Sequence, residues 1–74
     1  SNTQINFLEA LTEGVTSFHS SKKINQYKLG SSSNVSRIKE ALEKKEIIDT
    51  YSEQIEFLDP VFELWFSRIY MVKN

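Results

Sequence analysis

Three features of the 74-residue sequence predict a mainly α fold with a small β-hairpin, arranged as a winged helix-turn-helix. The stretch "KLGSSSN", residues 28 to 34, places a glycine and a serine run between two segments with apolar stripes. That is how a tight turn between two helices reads. The period then changes: in "IIDTYSEQIEFLD" Ile48 is followed by Asp49, and Ile55 and Phe57 alternate with Gln54 and Glu56, as in half-buried strands. Asp59-Pro60 then opens an apolar segment, with Asp suited to the N-cap and Pro to the first helical position. The predicted order is a three-helix core, a two-stranded wing and an extra C-terminal helix.

Each element has its own warrant. Thr3 is placed to cap the first helix, where Ile5, Leu8 and Leu11 recur at three-residue spacing and Phe7 and Ala10 widen the stripe. Gly14 is the expected stop, because glycine tolerates the left-handed conformation after a last helical turn. Val15 and Phe18 are expected to tuck under the loop that follows. Ser20 or Ser21 caps a short second helix with Ile24 and Tyr27 inward, Leu29 follows inward, and Gly30 is its expected C-cap. A serine among Ser31 to Ser33 caps the third helix, which runs to about Lys45. There Val35, Ile38, Ala41 and Leu42 share one stripe, and Ser33, Ser36, Arg37, Glu40, Glu43 and Lys44 point away. The two strands are expected to join near Ser52-Glu53. The predicted core is Ile5, Leu8, Leu11, Ile24, Leu29, Val35, Ile38, Leu42, Ile55 and Phe57.

Length and composition bound the function. A domain this small buries only about 60% of the surface its unfolded chain exposes, which leaves no room for an enclosed active site. The chain has no cysteine, which excludes disulfides and thiolate zinc sites and is compatible with the cytoplasmic location expected for it. No apolar run reaches the roughly 20 residues needed to span a bilayer, so no membrane partner is expected. The first residues have neither the basic nor the apolar region of a signal peptide. Ser1-Asn2 is expected to be a scar of tag removal, and residues 3 to 74 a single domain excised from a larger chain. Charge is unevenly spread. Residues 20 to 45 carry seven cations against two acids, while residues 46 to 74 carry six acids against two cations. Any affinity for nucleic acid must reside in the middle third.

No residue reads as catalytic. His19, the only histidine, lies in a loop with no serine–acid constellation around it and reads as a solvated side chain. Glu53, Glu56 and Asp59 lack the offsets of a calcium loop and read as a solvated acidic edge. Gly14 and Gly30 are the only glycines, so no glycine-rich phosphate loop exists and no cofactor is expected in this segment. Two binding surfaces stand out. The third helix could enter a DNA major groove, with Ser32, Ser33, Asn34, Ser36 and Arg37 reaching bases or phosphates, and with Lys22, Lys23, Lys28 and Lys44 supplying positive charge. Glu40, Glu43 and the acidic wing oppose that reading, so only weak DNA binding is expected. The last helix carries Phe62, Trp65, Phe66, Ile69 and Tyr70. Half of its large apolar groups are expected to close the core. The remainder would form a protein contact, with self-association as one consequence.

The run "YKLGSSSNVSRIKEALEKKEIID", then "IEFLDPVFELWFSRIY", resembles the C-terminal winged-helix domain of prokaryotic archaeal-type ATPases, within the AAA+/STAND group. The matching positions are Leu29, Gly30, Ser31, Asn34 and Val35; then Ala41, Leu42, Lys45, Ile47 and Ile48; then Phe57, Asp59, Pro60, Phe62, Glu63 and Trp65. The resemblance extends from about Gln4 to Tyr70, and its Asp-Pro-aromatic-Trp part is the more specific half. It implies a parent chain whose separate ATPase domain carries the phosphate loop and binds ATP and magnesium. It further implies that the winged helix acts as a lid or regulatory module against that ATPase domain. The alternative is the DNA-binding domain of a transcription regulator, with the third helix in the major groove.

Overall fold

The computed structural model describes residues 2 to 71. The element order is α1 (Asn2–Thr12), α2 (Ser21–Tyr27), α3 (Ser32–Lys44), β1 (Ile48–Asp49), β2 (Glu56–Phe57) and α4 (Pro60–Phe66), the last continuing as a π-helical turn over Ser67–Met71. This is the predicted order. The strands are antiparallel, with Ile48 opposite Phe57 and Asp49 opposite Glu56. The Leu58 N–H donates to the Ile47 carbonyl at 3.0 Å and extends the ladder by one bond.

The first three helices end in the same way. Gly14, Lys28 and Glu46 each adopt a positive φ, of 89°, 56° and 59°. In each case the next residue is apolar and sends its N–H to the carbonyl five residues back: Val15 to Ala10, Leu29 to Ile24 and Ile47 to Leu42, at 3.0, 2.9 and 3.0 Å. This is the closing bond of a Schellman turn, and the apolar residue that makes it is turned toward the core. The left-handed residue after α2 is therefore Lys28, not Gly30 as expected. Leu29 is fully buried, and the reversal has to occur immediately before it. Gly30 has a separate reason to be glycine. Its φ is +94°, and a Cβ there would stand 3.0 Å from Asn34 Nδ2.

The core departs from expectation on α1. Phe7 and Ala10 are fully buried together with Leu8, while Ile5 and Leu11 sit at the edge. A three-residue step falls about 60° short of a full turn, so the line through residues 5, 8 and 11 drifts around the helix. The Phe7 ring stacks on Phe18 with centroids 4.2 Å apart, which ties α1 to the loop before α2. Thr3 is not the cap. It lies inside the helix, which is described from Asn2 onward. The domain limits expected at residues 72 to 74 lie outside the described residues.

The wing is shorter than predicted. Each strand has two residues, and Ile55 lies outside the ladder, half-buried like Phe57. The six residues between the strands use local polar groups instead. Asp49 Oδ1 accepts from the Tyr51 N–H at 2.9 Å, and the Ser52 hydroxyl donates to the Gln54 carbonyl. Two acids opposite each other at Asp49 and Glu56 also disfavour a longer ladder.

Candidate functional site

The outer face of α3 is the first candidate. Ser31, the N-cap, accepts from the Asn34 N–H at 3.1 Å, so the helix starts where the serine run permits. Val35, Ile38 and Leu42 are buried, and this burial turns Ser32, Ser33, Ser36, Arg37, Glu40 and Lys44 outward. Arg37, Glu40, Ala41 and Lys44 line one shallow groove, which places an acid between the two cations. Asn34 is occupied within the fold. Its Nδ2 donates to the Leu29 carbonyl at 2.7 Å, closing the turn between α2 and α3. Ser32 is engaged too. Lys39 Nζ can only donate, so its 3.3 Å contact makes His19 Nε2 the acceptor. His19 Nδ1–H then donates to Ser32 Oγ at 2.6 Å. His19 is exposed, as expected, but it pins the loop before α2 to α3, and Lys39 was not among the expected site residues.

Of the other expected lysines, Lys22 and Lys23 lie on α2 and Lys28 is its C-cap. Lys23 Nζ donates to Gln26 Oε1 at 3.4 Å along α2, and Lys22 is exposed on the same helix. Lys28 lines a groove with Asn6, Glu9, Glu13, Gln26 and Tyr27, and its carbonyl accepts from Asn6 Nδ2 at 3.5 Å. In that groove the Tyr27 hydroxyl donates to Glu13 Oε1. This hydrogen bond raises the Tyr27 pKa above its ordinary 10.0, with desolvation and the charges of Glu13 and Glu9 adding to the effect.

The second candidate is α4. Asp59 Oδ1 accepts from the Val61 N–H at 2.9 Å and Pro60 occupies the first turn, as the sequence predicts. Phe66, expected on the contact surface, is only 1% exposed and belongs to the core. Phe62 is half-buried, packed with Phe57, Trp65 and Phe66. The α-to-π change at Ser67 accompanies a stack of Tyr70 on Phe66, with centroids 4.8 Å apart. The opposite face is left largely exposed among the described residues, with Trp65 touching only Phe62 and Tyr70 through its ring. Val61, Leu64 and Trp65, at i, i+3 and i+4, are 73, 54 and 50% exposed, and Ile69 beyond them is 58% exposed.

Among the described residues no group of three or more His, Cys, Asp or Glu could hold a metal ion, and no helix is long and apolar enough to cross a membrane. A helix-turn-helix whose second helix leads into a short antiparallel hairpin is a winged helix. The chain belongs to the family described as "Probable winged helix domain", whose model matches residues 1 to 68. No curated protein and no solved structure matches it.

Proposed function

We propose that this winged helix is a non-catalytic protein-docking module, the C-terminal regulatory or interaction domain of a larger AAA+/STAND-type ATPase. In this reading the outer face of α4 seats against the ATPase domain of the same chain, which is where ATP and magnesium bind. The observation that carries it is the exposed face of Val61, Leu64, Trp65 and Ile69. Contiguous exposed apolar groups of this size mark interaction surfaces. The charge pattern supports it as well: Glu40 between Arg37 and Lys44, and an acidic wing, are poorly suited to phosphates. The resemblance of the "DPVFELW" segment to that family supplies the ATPase part of the reading.

The alternative, a DNA-binding domain, draws on the continuous exposure of Ser32, Ser33, Ser36 and Arg37 on α3. The two readings separate in one set of measurements. In the complete polypeptide that contains this segment, Trp65→Ala combined with Ile69→Ala should alter ATP turnover. The domain alone should bind duplex DNA no more tightly than the non-specific range of about 10⁻⁴ to 10⁻⁶ M, fading steeply with salt. A polypeptide without a phosphate loop, together with submicromolar sequence-selective binding, would establish the DNA reading instead.

A further inference from the structure

A different surface, the groove between the C-terminal end of α3 and the wing, carries its own inference. It encloses about 370 Å³ and is lined by Glu43, Glu46, Ile48, Asp49, Tyr51 and Leu58. Ile48 is buried, so the accessible apolar wall comes from Tyr51 and Leu58. Tyr51 is 94% exposed, yet its backbone is held in place by the bond from its N–H to Asp49 Oδ1. Glu43, Glu46 and Asp49 add carboxylates to the lining, and Glu43 Oε2 also accepts from the Thr50 hydroxyl. The cations nearest in sequence are directed elsewhere. Lys45 Nζ donates to Gln4 Oε1 at 2.9 Å, and Lys44 lines the separate groove with Arg37 and Glu40. Asp49 faces a further acid, Glu56, across the ladder.

We infer that this groove is a docking site for a basic segment of a partner protein, one that lays an arginine over Tyr51 and an adjoining aliphatic side chain against Leu58. The groove offers charge complementarity to such a segment beside an apolar wall. A guanidinium is planar, so it can stack on an aromatic ring while its edge donates to carboxylates. A lysine ammonium is a compact, strongly hydrated charge and matches this combination less well. A metal ion does not fit the arrangement, because these carboxylates do not form a metal-holding group. The inference does not depend on the role given to α4, since none of the groove's residues lies on that helix.

The test is an amide-resolved NMR titration of this chain with a blocked peptide of alternating leucine and arginine. Its lysine and glutamate counterparts and spermine serve as comparison ligands. The arginine peptide should shift Glu46, Asp49, Tyr51 and Leu58, and should bind more tightly than the lysine peptide. The glutamate peptide should not bind. Tyr51→Ala should weaken the arginine peptide about threefold to fivefold, the range for an exposed cation–π contact. Glu46→Gln with Asp49→Asn should weaken it about fivefold or more, from the loss of two exposed charge pairs. Both variants change side chains outside the core, and Asn at 49 keeps the oxygen that holds Tyr51. Circular dichroism verifies that each variant is folded. Three results would each overturn the inference: spermine binding as tightly as the arginine peptide with Tyr51→Ala silent, shifts confined to α4, or no shifts at millimolar peptide.

Discussion

Replacing Asn34 by alanine separates a residue that reads DNA from one that builds the turn. Its Nδ2 donates to the Leu29 carbonyl at 2.7 Å, and Leu29 itself is fully buried. A hydrogen bond of this kind contributes about 0.5 to 1.5 kcal/mol net, and a partly buried carbonyl left without its partner adds to the loss. We expect Asn34→Ala to cost about 1 to 2 kcal/mol. For a domain of this size each kcal/mol moves Tm by about 4 to 8 °C, so the melting temperature should fall by roughly 5 to 15 °C. Asn34→Asp should cost at least as much, because a carboxylate cannot donate to Leu29. The assay is thermal and urea unfolding followed by far-UV circular dichroism, with DNA binding measured in parallel. An unchanged Tm accompanied by loss of DNA binding would refute this account and make Asn34 a base reader.

Other outcomes follow from the backbone and the charges. Gly14→Ala should cost about 1 kcal/mol, the penalty of a positive φ alone, since an added Cβ there meets nothing within 4 Å. Gly30→Ala should cost more, because the new Cβ also displaces Asn34 Nδ2; equal losses at the two positions in urea unfolding would contradict this. Lys28→Gly and Glu46→Gly should each stabilise the fold by about 0.5 to 1 kcal/mol, by relieving a side chain held at positive φ. The raised pKa of Tyr27 stabilises the fold fully below its unfolded value near 10.0, and that stability is lost as pH rises through the folded value. Tyr27→Phe should therefore flatten the fall in Tm above pH 10, and a fall of undiminished steepness would show that the Glu13 bond is not its source.

The local signals were legible where the chemistry is local. Ser20, Ser31 and Asp59 cap helices as their side chains dictate, and the burial of Val35, Ile38 and Leu42 follows directly from helical spacing. Two of the three helix ends were hidden because Lys28 and Glu46 are not glycine. What sets them left-handed is the burial of Leu29 and the bond from Ile47 back to Leu42, a requirement of the assembled fold. The three-residue spacing of Ile5, Leu8 and Leu11 points away from the true centre of the α1 stripe, where Phe7 and Ala10 are fully buried. The outward face of α3 was visible, but Asn34's use inside the turn was not, since its partner lies five residues back in a glycine-bearing loop. The groove around Tyr51 had no signature at all. Its walls come from residues 43 to 51 and from Leu58, which meet only after the hairpin folds back on the end of α3.

The central claim, that the outer face of α4 is a protein-docking surface, is tested most directly by sedimentation velocity of this chain over a range of concentrations at low and high salt. Apolar contacts are little screened by ions, whereas contacts between exposed charges are weakened. The account predicts that the sedimentation coefficient rises with concentration to the same degree at both salt levels, and that Leu64→Ser with Trp65→Ala abolishes the rise while leaving the fold intact. A chain that stays monomeric at every concentration, or whose association disappears in high salt and survives the double substitution, would contradict it.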